Sequence, residues 1–526
     1  MVSSIELASQ LRDNELGVYA GETANGPTFA SRRDAFGVVG GPSSGKSTRV
    51  LLQSVAAFPG LVVCTSTRDS ESALYPDIVE LSYPARAKLA ADSGGKVIWI
   101  SCDEKLTKGN LHQRRWEILD GCSDWVLAKE RALLLIWAAI GDGAVENKAF
   151  FQNAALNLVA PLMFFCANAP SENSHSFLTR LRRSPVTTVQ RDEVSLSSFQ
   201  DIASHMAGRI GDQHDAVVSL RSFCDPDRMS ERTRQNVLSV VDSLIVPAVQ
   251  AVCVSRSDPM SFDEVLSGTS TIYIQARSGF ARSIAPAIAA FIGSLVAEWR
   301  SLAATRRPYG LMLALDEVCN IAPIYNLPEL VSAGGGDGIT TVLGIQDVRR
   351  LDQIWGAEGS GIISSSGLLL MPGYRDAEFL ANIAALTRRV PRTHQAAEVT
   401  RDYGKFSGLS RDQIGERALR FDRMRNRNTG LSRHARLELE ALRGRVDDIR
   451  NGVPMADRAQ TSREWLSGLD ESASIRDVTE LRHSVEAHEL YGMPEATALV
   501  MSRGGYGFVS VPGWWESEYW RAVIER

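Results

Sequence analysis

Residues 36–55 read FGVVGGPSSGKSTRVLLQSV. A short apolar run meets glycines, then one lysine and two hydroxyls, then apolar residues at helical spacing. Gly40, Gly45, Lys46 and Ser47 complete the pattern G-x-x-x-x-G-K-S/T, whose chemistry is phosphate binding. The glycines let backbone N–H groups turn toward anionic oxygens with no Cβ in the way, and the start of the following helix adds its positive end. On this reading Gly40, Gly41, Pro42, Ser43, Ser44, Gly45, Lys46, Ser47 and Thr48 cradle ATP. Lys46 reaches the β- and γ-phosphates, and the Ser47 hydroxyl ligates Mg²⁺.

Hydrolysis needs acids, and the run LMLALDE (311–317) supplies two at its end, Asp316 and Glu317. A buried strand of this composition carries both at its C-terminal tip. Asp316 faces the Mg²⁺ water shell, while Glu317, one residue on and aimed differently, polarises the attacking water. A strand followed by an acidic helix cap gives the same pattern; its pairing with the glycine loop favours catalysis. Gln346 ends the next strand-like run, TTVLGIQ. In a parallel sheet that tip lies near the γ-phosphate and senses hydrolysis, with capping of the following segment as the alternative.

These residues require a scaffold, and the sequence describes one. Short β-branched runs at 60–66 and 96–102 follow the loop and its helix, so the chain opens as β-loop-α-β, the start of a parallel α/β sheet. From about 105 to 254 the patterns are long and helical and strand-like runs are nearly absent. Alternation returns with strands expected at 269–275, 310–317, 340–347 and 367–373. The organisation expected is an N-terminal segment with short strands (1–34), a first part of the sheet domain (35–104), an all-α insertion (105–254) and a second part (255–395). A variable arginine-rich segment (396–476) and a terminal hairpin turning at Gly504 and Gly505 (477–526) complete it.

Composition bounds the rest. The chain has 526 residues, 44% of them hydrophobic, and a formal net charge of −5. No global basic field points to nucleic acid, although a local groove or ring lumen can still bind it. The seven cysteines are scattered, with no C-x-x-C pair, as buried free thiols in a reducing cytoplasm are. The N-terminus has no secretory h-region. ALNLVAPLMFFCANA and SIAPAIAAFIGSLVAEW read as buried helices, too short and interrupted for a comfortable bilayer span.

Four blocks together carry a resemblance. They are GGPSSGKST, LVVCTSTRD, LALDEVCNIAPIYNLPELVSAGGGDGITTVLGIQDVRRLDQIWG and LLLMPGYRDAEFLANIAAL. The chain resembles the type IV coupling proteins of bacterial conjugation and type IV secretion (TraG/TraD-like). The third block is the most specific, and 396–476 is unmatched. The resemblance implies a RecA-like P-loop NTPase domain with an inserted all-α domain, assembled as a homo-hexamer. It implies an ATPase that drives single-stranded DNA, or relaxase and secreted protein substrates, to a secretion channel. Two departures stand out. Family members usually carry N-terminal membrane helices, and none is read here; a soluble branch, a truncated chain, or a cytoplasmic subunit recruited by a separate membrane-anchoring protein each fit. The glycine turn before the Gln-ended strand usually carries an arginine that reaches a neighbour's site; here Gly335 stands at that position, leaving Arg349, Arg350, Arg375 and Arg388 as substitutes.

Other features read more plainly. The arginine run over 417–436 and Arg180, Arg182 and Arg183 are phosphate-contact candidates, though a solvated face explains the former better. GWWESEYW reads as core packing or a subunit contact. Beside the coupling ATPase, two alternatives remain open: a soluble ring translocase acting on DNA without a channel, and a nucleotide-binding scaffold with little turnover.

Overall fold

The computed structural model describes residues 17–399 and 473–524, apart from 24–25, 68–76, 102–112, 141–147, 170–171, 183–189, 192–193, 196–197, 254–256, 267, 308 and 503–504. The arginine run over 417–436 and most of the variable segment lie outside the described residues.

Strands β1 (Tyr19–Thr23) and β2 (Gly26–Phe29) precede β3 (Phe36–Val39), which leads into the glycine loop. β4 (Leu61–Ser66) and β5 (Val97–Ser101) follow. β6 (Arg114–Trp116), β7 (Gln190–Arg191), β8 (Val194–Ser195) and β9 (Asp258–Met260) are short and accompany the helical stretch. β10 (Thr271–Gln275), β11 (Leu311–Leu315), β12 (Ile339–Ile345) and β13 (Gly367–Leu370) return to the sheet. β14 (Arg389–Val399) pairs with β15 (Ala473–His483), and β16 (Thr497–Ser502) with β17 (Gly505–Ser510).

An 11-stranded sheet forms the centre, in the order β2-β1-β17-β16-β13-β3-β12-β11-β4-β10-β5. From β13 to β5 every neighbouring pair is parallel; β16, β17, β1 and β2 extend the sheet antiparallel. The parallel strands β3, β4, β11 and β12 are buried along their whole length. Continuous apolar runs such as LMLAL therefore replace the alternation of a half-exposed sheet. Register fixes the working edge: β12 lies between β3 and β11, with Ile345 opposite Val39 and Leu343 opposite Leu315. The end of β3, the acids after β11 and Gln346 after β12 therefore reach one edge together.

A buried arginine braces this sheet. Arg86, on the helix Ile78–Ser93, is fully buried. It donates to the Thr271 hydroxyl at 2.7 Å and to the carbonyls of Val55, Phe58, Gly60 and Ser270. Burial pushes its pKa down to about 10, so it stays charged at neutral pH. At Ser270 it adds a second donor to a carbonyl that also accepts the Val62 N–H at 3.0 Å.

The segment between β6 and β9 is dominated by helices, among them Trp125–Ala139, Lys148–Ala167, Phe199–Ile210 and Asp215–Cys224. It is not free of strands: β7 and β8 pair with each other, and β6 pairs in parallel with β9. Two- and three-residue strands are too short to leave a periodic signature in sequence. Three helices are longer than the apolar runs within them suggest. Lys148–Ala167, Glu231–Cys253 and Ser278–Ser301 are each long and apolar enough to cross a bilayer, because polar residues that seemed to bound the apolar runs continue the same helices. In the fold, 61%, 50% and 78% of their most apolar windows are buried.

Residues Asn382–Glu486 form a second compact unit. Its described core is the β14–β15 pair, aligned from Arg389 opposite His483 to Val399 opposite Ala473.

Candidate active site

The loop after β3 folds as its glycines demand. The Gly40 N–H donates to the Ile345 carbonyl at 3.1 Å, tying the loop to the neighbouring strand. A Cβ on Gly40 would lie 2.5 Å from Ser44 Oγ and 2.7 Å from Met371 Cβ. Ser43 (φ 59°) and Gly45 (φ 86°) both take the left-handed conformation; for Ser43 this costs on the order of 1 kcal/mol, held by the surrounding loop. Lys46 is 6% exposed. Its Nζ donates to the Gly40 carbonyl at 2.7 Å and the Gly41 carbonyl at 2.9 Å, so the ammonium sits at the mouth of the loop. The Ser44 hydroxyl is buried with no protein partner, which suits it to an incoming anionic oxygen. Ser47–Leu51 begins the following helix as a π turn that continues into Leu52–Ala57.

Ser47 Oγ donates to Asp316 Oδ2 at 2.6 Å, joining the loop helix to the end of β11. Asp316 is 5% exposed. Its Oδ1 accepts from the Glu317 N–H at 3.1 Å, and its carbonyl accepts from Thr65 Oγ1 at 3.2 Å. A hydroxyl and a carboxylate in contact form a hard oxygen donor pair, which fits Mg²⁺ shared with a nucleotide. Among the described residues no three His, Cys, Asp or Glu side chains gather into a separate metal cluster. Gly344, on β12, makes room for this acid: a Cβ there would lie 2.6 Å from Asp316 Oδ1.

Glu317 leaves the strand in the left-handed region, at φ 52° and ψ 46°. This bend separates its carboxylate from that of Asp316, and for a non-glycine residue it costs roughly 1–3 kcal/mol. Both carboxylate oxygens are held. Oε1 accepts from Gln346 Nε2 at 2.5 Å, and Oε2 from Asn320 Nδ2 at 3.2 Å. Glu317, Asn320, Gln346 and Arg350 line one cleft with Cys319, Gly344 and Asp347. Burial pushes the Cys319 thiol up to about 12, so it is inert as a nucleophile.

The loop residues, Asp316, Glu317 and Gln346 thus converge at the carboxyl ends of the parallel strands, although Gln346 stands just past its strand, which ends at Ile345. Sequence reasoning missed Asn320 and Gly344. The signal for Asn320 was its spacing of three from Glu317; Gly344 had none short of the sheet register.

The candidate substitutes for an arginine at position 335 fare differently. Arg350 turns into its own chain's cleft, donating to Asn320 Oδ1 at 2.5 Å and the Cys319 carbonyl at 3.3 Å. Arg349 pairs with Asp376 at 2.9 Å. Arg375 and Arg388 are exposed. Gly335 itself has no room for a side chain: a Cβ would stand 2.1 Å from the Arg33 carbonyl oxygen. Arg180 is buried and paired with Glu172 at 2.8 Å, so it is no phosphate contact in this fold; Arg183 lies outside the described residues.

The tryptophan-rich terminus divides its labour. Trp520 is fully buried against Tyr19 and Phe29. Trp515 is 46% exposed, with the Arg49 guanidinium over its ring at 5.4 Å. Arg49 also bonds Glu516 at 2.7 Å and the Val511 carbonyl at 3.1 Å, clasping the terminus onto the loop helix.

A family model described as the TraM recognition site of TraD and TraG matches residues 310–424. That span holds Asp316, Glu317, Asn320, Gln346 and Arg350. No curated protein matches the chain by sequence. Among solved structures, the unbound bacterial conjugative coupling protein TrwBdeltaN70 superposes with a TM-score of 0.55 at 14% identity, covering 97% of this chain and 92% of that one. The plasmid coupling protein TrwB bound to the non-hydrolysable ATP analogue ADPNP gives 0.55 at 13% identity, covering 98% and 93%. Its complex with ADP and Mg²⁺ gives 0.54 at 13% identity, with the same coverage. The fold is that of a RecA-like P-loop NTPase with an all-α domain. The chain thus carries a segment similar to the TraM recognition site of TraD and TraG, within a fold shared with the conjugative coupling protein TrwB.

Proposed function

We propose that the chain is an ATPase that couples nucleotide hydrolysis to moving DNA, nucleoprotein or protein substrates toward a type IV secretion or conjugation channel. The observation that carries the hydrolytic part is the meeting of Lys46, Ser47, Asp316, Glu317 and Gln346 on one sheet edge, with Glu317 aimed by two amides. In this reading the loop N–H groups and Lys46 bind the β- and γ-phosphates, and Lys46 exchanges the Gly40 and Gly41 carbonyls for them. Ser47 and Asp316 hold Mg²⁺, which neutralises phosphate charge when bound. Glu317 orients a water and takes its proton, and Gln346 reports on the γ-phosphate.

The transport part rests on the family. It brings a homo-hexameric ring, relaxase or secreted protein substrates, and recruitment from the cytoplasm to the inner face of the membrane by an anchoring or channel protein. ATP hydrolysis by the purified chain, with and without single- and double-stranded DNA, tests it. DNA-stimulated turnover that disappears in Lys46→Ala and Glu317→Gln is expected. Nucleotide binding without turnover under every condition would leave a scaffold in place of a motor.

A further inference from the structure

The geometry points to Asn320 and Arg350 as a positioning relay that sets the orientation of the Glu317 carboxylate. This rests on the hydrolytic reading above and deepens it. An asparagine amide can face a neighbour with either its oxygen or its nitrogen. Here the choice is forced. Arg350 is donor-only, so the atom 2.5 Å from its guanidinium must be Asn320 Oδ1. Nδ2 is then left facing Glu317 Oε2, at 3.2 Å. A second guanidinium donor on the Cys319 carbonyl, at 3.3 Å, fixes Arg350 against the turn that carries Asn320. That turn is closed by Glu317 itself, whose carbonyl accepts the Asn320 N–H at 2.7 Å. One carboxylate oxygen thus answers to Gln346 on the neighbouring strand, and the other to a chain of bonds ending at Arg350. With both anchors in place, a carboxylate on a left-handed backbone keeps one direction toward the cleft. With the Asn320 anchor gone, it can rotate about its last bond. Arg350 therefore works within its own subunit, through Asn320, and no contact with the nucleotide is needed for its effect.

The test is steady-state ATP hydrolysis, read with binding of a non-hydrolysable ATP analogue and with the thermal midpoint. Asn320→Asp is the sharpest variant. It retains size and the bond to Arg350 but turns an acceptor toward Glu317 in place of a donor. We expect kcat to fall about tenfold or more, a part of the roughly 10²–10⁴ that a positioned base contributes. Analogue affinity and thermal midpoint should stay near wild type. Arg350→Ala should lower kcat less, Arg350→Lys should recover part of it, and Asn320→Ala with Arg350→Ala should be no slower than Asn320→Ala alone, because the two act in series. The relay is overturned by Asn320 variants with kcat within twofold of wild type. It is equally overturned if kcat, affinity and thermal midpoint fall together, or if the two alanine losses multiply. A wild-type chain no faster than Glu317→Gln sinks the hydrolytic reading itself, and the relay with it. A fast wild type with indifferent Asn320 variants sinks the relay alone.

Discussion

The two halves of the site are built on different principles. The phosphate half is a loop of backbone, shaped by glycines and by Ser43 and Gly45 in left-handed conformations, with one lysine resting on the loop's own carbonyls. The hydrolytic half is made of side chains at and just past the strand ends, where each carboxylate oxygen of Glu317 is met by an amide and one of those amides is met by an arginine. The first has to rearrange its hydrogen bonds when phosphate arrives; the second is already aimed. Affinity and rate should therefore be separable by mutation.

Lys46→Ala should have the largest effect. It removes the one cation of the loop, so nucleotide affinity and turnover should both collapse, about 100-fold or more in affinity, as equilibrium binding of a fluorescent ATP analogue would show. Glu317→Gln should split the halves cleanly. Turnover falls by roughly 10²–10⁴ while affinity stays within a few-fold, measured by single-turnover hydrolysis beside the same binding assay. A parallel loss of affinity would show that the halves are not independent. Gly344→Ala falls between them. Its Cβ, 2.6 Å from Asp316 Oδ1, displaces the acid that both halves share. It should raise the Mg²⁺ concentration needed for half-maximal rate and cost about 1–3 kcal/mol of stability by overpacking, read as a Mg²⁺ titration and a denaturant midpoint.

The smallest effect is expected at the clasp. Glu516 sits below the ordinary carboxylate range because of the Arg49 hydrogen bond first and the Gly513 N–H second. A depressed carboxylate stabilises the fold above its unfolded pKa and loses that contribution as pH falls through the folded value. Its side chain is 42% exposed, so solvent screening limits the pair to about 0.5 kcal/mol. Glu516→Gln should shift the midpoint by no more than that at pH 7, and by nothing measurable in acid below the depressed folded value.

The phosphate half was legible in the sequence because its information is local. Gly40, Gly45, Lys46 and Ser47 are read from eight consecutive residues, and the flanking patterns gave strand and helix on either side. Asp316 and Glu317 were legible for the same reason, at the end of a continuous apolar run. The rest required the register. Gly344 matters because β12 lies beside β11, and Arg350 turns inward onto Asn320 and the Cys319 carbonyl about thirty residues earlier; neither relation is written within one segment. The helical insertion followed from long periodic runs, while its two- and three-residue strands left no period to read. The terminal tryptophans look alike in sequence, yet Trp520 is core and Trp515 is surface. That difference is set by β1, some five hundred residues away along the chain.

The contact between Gly335 and Arg33 has a consequence for change over time. These residues are some three hundred positions apart, but a single missing methyl lets their backbones touch. The Thr340 hydroxyl, bonded to the Arg32 carbonyl, secures the same approach. A side chain cannot be restored at 335 by one substitution, because the first step meets a main-chain oxygen that no rotamer can move. The 31–34 turn would have to be rebuilt beforehand, so the order of mutations matters and the direct path is closed. Any side chain placed at 335, an arginine included, has to travel with a rebuilt turn some three hundred residues earlier.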